Sequence, residues 1–130
     1  METAQNKIVK AALLGAGTVG SGVYQLVQER QEDFSHICGT QIQITKILVR
    51  DASKEREGIP SPLLTDNWNE IIEDDSISII IEVMGGIEPA KSYLLEAMKA
   101  GKQIVTANKD LIAEHGHELL DSAEKYGCDF

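Results

Sequence analysis

Cysteine is scarce in this chain. Only Cys38 and Cys128 occur among 130 residues. They form no Cys-x-x-Cys pair, which argues against a disulfide framework and against a zinc site; no metal is expected. Basic residues are also in short supply, with 12 Lys and Arg against 21 Asp and Glu and a formal net charge of −9. That balance speaks against nucleic acid or an anionic membrane as a partner. It leaves room for a short-range anion site built from backbone N–H groups. Long apolar runs are missing, and no segment approaches the length needed to span a bilayer. The polar, acidic start Met1-Glu2-Thr3-Ala4-Gln5-Asn6 lacks the basic-then-apolar order of a signal peptide. A cytoplasmic protein is expected. Internal repeats and low-complexity tracts are absent as well.

What is present suits one globular domain. Hydrophobic residues make up 42% and charged residues 25%, and a chain of this size buries roughly two-thirds of its unfolded surface. Short apolar runs alternate with helical patterns. A strand is expected over 9–14, then a helix with Val19, Val23, Leu26 and Val27 on one stripe. A β-branched strand follows over 42–49, after a polar extension at 31–39. Residues 53–62 read as a loop and 63–65 as a short strand. Asn67 and Glu70 have capping-box spacing ahead of a short helix that buries Trp68, Ile71 and Ile72. The clearest strand spans 78–84 and stops at Gly85-Gly86.

Pro89 and Gly101 bracket the next helix, whose buried stripe is Ala90, Tyr93, Leu94, Ala97 and Met98. A fifth strand covers 103–106, a helix interrupted at Gly116 covers about 110–126, and 128–130 resembles the start of another strand. Such alternation predicts parallel strands with right-handed crossovers, an α/β doubly wound sheet.

Gly15-Ala16-Gly17-Thr18-Val19-Gly20 matches G-x-G-x-x-G. The pattern is weak alone, but here it follows a strand and opens a helix, the context of a Rossmann dinucleotide-binding turn. Gly15 allows the tight turn, Gly17 the approach of a pyrophosphate, and Gly20 close packing of helix on sheet. The helix start offers free N–H groups to the phosphates. A merely tight turn is the alternative.

At the tip of the second strand, Arg50 and Asp51 offer both known solutions for the adenosine ribose. An acid binds the 2′-OH of NAD, and an arginine accepts the 2′-phosphate of NADP. With Arg50 first, NADP is favoured over NAD; Lys54 and Arg56 read as solvated loop charges. Gly85 and Gly86 would let the cofactor approach backbone at the carboxyl edge, or form a plain turn. Glu82 reads as a partly buried, paired carboxylate. Thr106 and Asn108 follow the fifth strand, and Lys109 stands at a helix start where the dipole disfavours a cation. That placement makes Lys109 a candidate for contact with cofactor or substrate, or for proton transfer. His36, His115 and His117 read as surface residues.

Taken together, residues 15–20, Leu48-Val49-Arg50-Asp51, residues 81–88 (Ile-Glu-Val-Met-Gly-Gly-Ile-Glu) and Val105-Thr106-Ala107-Asn108-Lys109 resemble the amino-terminal region of homoserine dehydrogenases. The likeness runs from about residue 8 to residue 130. It implies reversible NAD(P)-dependent reduction of aspartate β-semialdehyde to homoserine, a branch step of threonine and methionine synthesis. It further implies that Lys109 lies at the active site and that Arg50 favours the NADP 2′-phosphate. The family's other catalytic acid and lysine belong to a substrate and dimerisation domain further along. Residues 1–130 are therefore expected to be the NAD(P)-binding domain, inactive alone, of an enzyme that is a homo-oligomer at full length. Two alternatives are another two-domain NAD(P)-dependent reductase and a stand-alone nucleotide-sensing module.

Overall fold

A computed structural model describes residues 7–31, 33 and 39–130. His36 and Cys38, and most of the polar extension, lie outside the described residues. The elements are β1 (Lys7–Leu14), α1 (Thr18–Glu29), β2 (Thr40–Leu48), a 3-10 turn (Ser61–Leu63), β3 (Leu64–Thr65), α2 (Asn69–Ile72), β4 (Ile77–Glu82), α3 (Ala90–Lys99), β5 (Gln103–Thr106) and α4 (Lys109–Tyr126). The strands form one sheet in the order β3-β2-β1-β4-β5, and every pairing is parallel. From β1 the chain winds outward to β3, then crosses back to β4 on the other side. The winding therefore reverses between β1 and β4, and beyond the carboxyl ends of those strands a crevice opens.

Period-two alternation divides the core between the sheet's two faces. Ala12, Leu14, Ile80 and Ile104 pack with Leu94, Ala97 and Met98 of α3 and with Leu111, Leu119 and Ala123 of α4. Leu13, Ile44 and Ile47 pack on the opposite face with Tyr24 and Val27 of α1. Helices thus cover both sides, as a doubly wound sheet requires. Trp68 is stacked on Tyr93, ring centroids 4.4 Å apart, and its indole N–H donates to Glu96 at 2.8 Å, which moors α2 to α3.

Four expectations need correction. The buried stripe of α1 is Gly20, Tyr24 and Val27, with Val23 packed beside it, whereas Val19 and Leu26 are 58% and 51% exposed. The phase is set by Gly20, pressed against the turn at Gly15. Counting about 100° per residue from there brings Tyr24 and Val27 round to the sheet.

The capping box expected at Asn67 does not form, since the Glu70 N–H donates to the backbone carbonyl of Asn67 at 3.1 Å rather than to its side chain. That side chain accepts the Asn69 N–H at 3.0 Å, and the Glu70 side chain reaches away to Lys46 at 3.2 Å. In α4 the break falls at His115 (φ −131°) rather than at Gly116. Residues 128–130 have no strand conformation of their own, although Ile104 N–H donates to the Asp129 carbonyl at 3.0 Å, so this segment lies along the edge of β5. At the start of the polar extension, the Gln31 amide accepts the Ile42 N–H at 3.1 Å and donates to the Ile42 carbonyl. It thereby satisfies a stretch of β2 that β3 is too short to reach. Among the described residues no helix is long and apolar enough to cross a membrane.

Candidate functional site

A cleft of about 860 Å³ opens at the carboxyl edge of the sheet, lined by the β1–α1 turn, the loop after β2 and the turn after β4. Gly15, Ala16, Gly17, Arg50, Gly85 and Gly86 line it. Thr18 and Val19 stand exposed on the first turn of α1, beside the cleft, and Gly20 is buried beneath it. Thr106 and Lys109 do not line the cleft; the intervening Asn108 is bonded to the Gly86 carbonyl.

The β1–α1 turn is shaped by its glycines in two distinct ways. Gly15 has a φ of +109°, and a Cβ there would meet Met84 Cα at 3.0 Å; one on Gly20 would meet the Gly15 carbonyl oxygen at 2.3 Å. Those two are glycines because the protein's own backbone occupies the space. Gly17, the N-cap of α1, is extended with φ −74°, and a Cβ there would have nothing within 4 Å. No side chain caps α1, so its first-turn N–H groups face outward with a partial positive charge. The free space and the uncapped donors fit a pyrophosphate.

At the other end of the cleft stand three cations: Arg50, Lys54 and Arg56. Lys54 and Arg56, expected from sequence to be solvated loop charges, both line the cleft. The loop is folded back on itself, with Arg56 Nη1 donating to the Asp51 and Lys54 carbonyls at 3.0 and 2.9 Å and Ile59 buried beneath. The available signal is three cations within the seven residues 50–56, just past the end of β2. Asp51, the acid suited to a ribose 2′-OH, is turned to Ser53, accepting its N–H at 3.0 Å and its hydroxyl at 2.6 Å. Those two bonds, the hydroxyl's first, hold its carboxyl below the ordinary range.

Glu88, on the wall nearer α3, accepts from the Ser92 hydroxyl at 2.9 Å and the Ser92 N–H at 3.0 Å. It is lowered by those bonds, again the hydroxyl's first. The Glu88–Pro89 peptide bond is cis.

Glu82 is 0% exposed, not partly buried as expected. Its carboxylate accepts from the Met84 and Gly85 N–H groups at 3.1 and 3.2 Å, from the Thr106 hydroxyl and from the Asn108 side-chain amide at 3.4 Å. Asn108 also donates to the Gly86 carbonyl at 2.5 Å and caps α4 by accepting the Leu111 N–H at 3.1 Å. Lys109, the first residue of α4, is exposed. The arrangement offers an uncapped helix mouth with free N–H groups and a cationic rim.

A family model described as the NAD-binding domain of homoserine dehydrogenase matches residues 15–130. The homoserine dehydrogenase of Bacillus subtilis is 44% identical over 124 residues, 95% of this chain and 29% of that protein. That of Corynebacterium glutamicum is 45% identical over 121 residues, 93% of this chain and 27% of its own length. A crystal structure of S. aureus homoserine dehydrogenase superposes with a TM-score of 0.89 at 48% identity, covering 95% of this chain and 31% of that one. The chain thus spans less than a third of the length of these relatives. With its family model, sequence and fold in agreement, the chain belongs to the homoserine dehydrogenase family, as the NAD-binding domain.

Proposed function

We propose that residues 1–130 hold NADP(H), in preference to NAD(H), for the interconversion of aspartate β-semialdehyde and homoserine by a longer protein. In that protein a second domain supplies the rest of the substrate site and the dimer surface. The observation that carries this reading is the uncapped α1 mouth at Gly17 opening into a cleft whose far rim is Arg50, Lys54 and Arg56. The N–H groups of the first turn would hold the phosphates of the dinucleotide, and Arg50 would hold the 2′-phosphate. Both Ser53 bonds fall on Oδ1 of Asp51 and turn its carboxylate toward its own loop. Gly85 and Gly86 border the nicotinamide half.

The bound dinucleotide supplies the hydride. The protein's own part is orientation and charge. Lys109, exposed at the start of α4 beside Asn108, would stabilise the alkoxide that develops on the substrate, or donate its proton to it. Thr106 orients the same edge through Glu82. We read the full-length protein as a cytoplasmic homo-oligomer, a reading that the family likeness supports.

Titration of the protein with NADPH and NADH tests the cofactor reading. Arg50→Ala is expected to weaken NADPH roughly tenfold or more, the worth of a lost charge-assisted hydrogen bond, and NADH far less. Equal losses would remove Arg50 from 2′-phosphate recognition. Failure of the whole protein to oxidise homoserine would overturn the assigned reaction.

A further inference from the structure

We propose that Glu82 is a positioning residue which locks the Gly85-Gly86 turn to the amino end of α4 and so sets the nicotinamide half of the cleft. The inference rests on the dinucleotide reading of that cleft. Burying a carboxylate is costly unless its charge is matched by donors, and a side chain of similar size but without charge serves packing alone at least as well. Glu82 nevertheless sits fully buried at the end of β4, and no salt bridge satisfies it among the described residues; its partners are neutral donors.

The origin of those donors is informative. Two are backbone N–H groups of Met84 and Gly85, in the turn that walls the cleft. One is the hydroxyl of Thr106 at the end of β5, which itself accepts the Asn108 N–H at 3.1 Å and therefore directs its own proton at Glu82. The fourth is the side-chain amide of Asn108, whose other contacts hold the Gly86 carbonyl and the cap of α4. A single side chain thus ties together the turn against which the cofactor lies and the helix start that carries Lys109. Its negative charge also lies behind the positive end of α4, where it is favourable. Met84 packs against Gly15 at the α1 mouth, but among the described residues no hydrogen bond of this hub reaches that mouth or Arg50, so its influence falls mainly on the nicotinamide half of the cleft.

That asymmetry supplies the test. Binding of NADPH, which spans both halves, is compared with binding of 2′,5′-ADP, which carries only the adenosine half. Glu82→Gln keeps the shape but replaces one acceptor by a donor facing N–H or O–H groups. It is expected to weaken NADPH roughly tenfold while leaving 2′,5′-ADP within about twofold. Should Glu82→Gln not fold, Asn108→Asp preserves an acceptor for the Leu111 N–H but sets a second carboxylate against Glu82 and the Gly86 carbonyl; the same split is expected.

Equal weakening of both ligands would reduce Glu82 to a general structural role and overturn the proposal, as would unchanged NADPH binding. Should the unaltered protein bind neither ligand, the dinucleotide reading itself would fall, an outcome distinct from either.

Discussion

Gly17 and Gly20 stand three residues apart in one turn and answer to different demands. At Gly20 the obstacle is internal, since a methyl group would lie 2.3 Å from the Gly15 carbonyl oxygen. Gly20→Ala must push α1 off the sheet and is expected to cost about 1–3 kcal/mol of stability, as overpacking in a tight core does. At Gly17 a methyl group meets nothing, and the backbone is one an alanine adopts. Gly17→Ala is expected to leave stability within about 0.5 kcal/mol and yet to abolish most dinucleotide affinity, because the methyl group occupies the space a phosphate needs. Urea denaturation and NADPH titration of the two variants, side by side, check this. A Gly17→Ala protein that binds as well as the parent would show that no ligand comes close there.

Between elements, short polar side chains fix the turns that aim the strands. Asp74 accepts from the Ser76 hydroxyl at 2.5 Å and the Ser76 N–H at 2.9 Å, and the buried Lys102 ammonium ties the same turn to β5 by donating to the Asp74 and Ile77 carbonyls at 2.8 and 2.5 Å. Burial holds the Lys102 pKa down. The Ser76 hydroxyl, and then the Ser76 N–H, hold Asp74 below its ordinary 3.8. Asp51 with Ser53 and Glu88 with Ser92 repeat the device.

A carboxyl lowered in the fold contributes stability that is fully present above its unfolded value. That contribution is lost as pH falls through the folded one. Stability should therefore decline as pH drops through 3.8 and below. Ser76→Ala should flatten that decline, since the folded and unfolded proton affinities of Asp74 then converge. Denaturant midpoints measured at about pH 3 and about pH 7 decide it, and an unchanged difference between them would count against the hydroxyl as the cause.

At the scale of the whole molecule, the alternation of strand and helix was legible because glycine and proline punctuate it. Gly15, Gly85-Gly86, Pro89 and Gly101 each fall at an element boundary, and the glycine motif falls where β1 meets α1. Less legible was anything decided by long-range contact. The buried face of α1 is not evident in its apolar stripe because its phase depends on Gly20 touching Gly15. Lys54 and Arg56 passed for loop charges because only the folded loop, pinned by Arg56 and buried Ile59, brings them to the cleft. The four donors around Glu82 come from residues as far apart as Met84 and Asn108, and no local pattern announces them.

The fold assembles these pieces at one edge of an acidic molecule, where cations and amides outweigh the net charge only at short range. The central claim is that a diphosphate rests on the first turn of α1. Amide chemical shifts followed during an NADPH titration test it most directly. Saturable changes that are largest at the N–H groups of residues 15–20 are predicted; saturable binding that leaves those amides unmoved would contradict it.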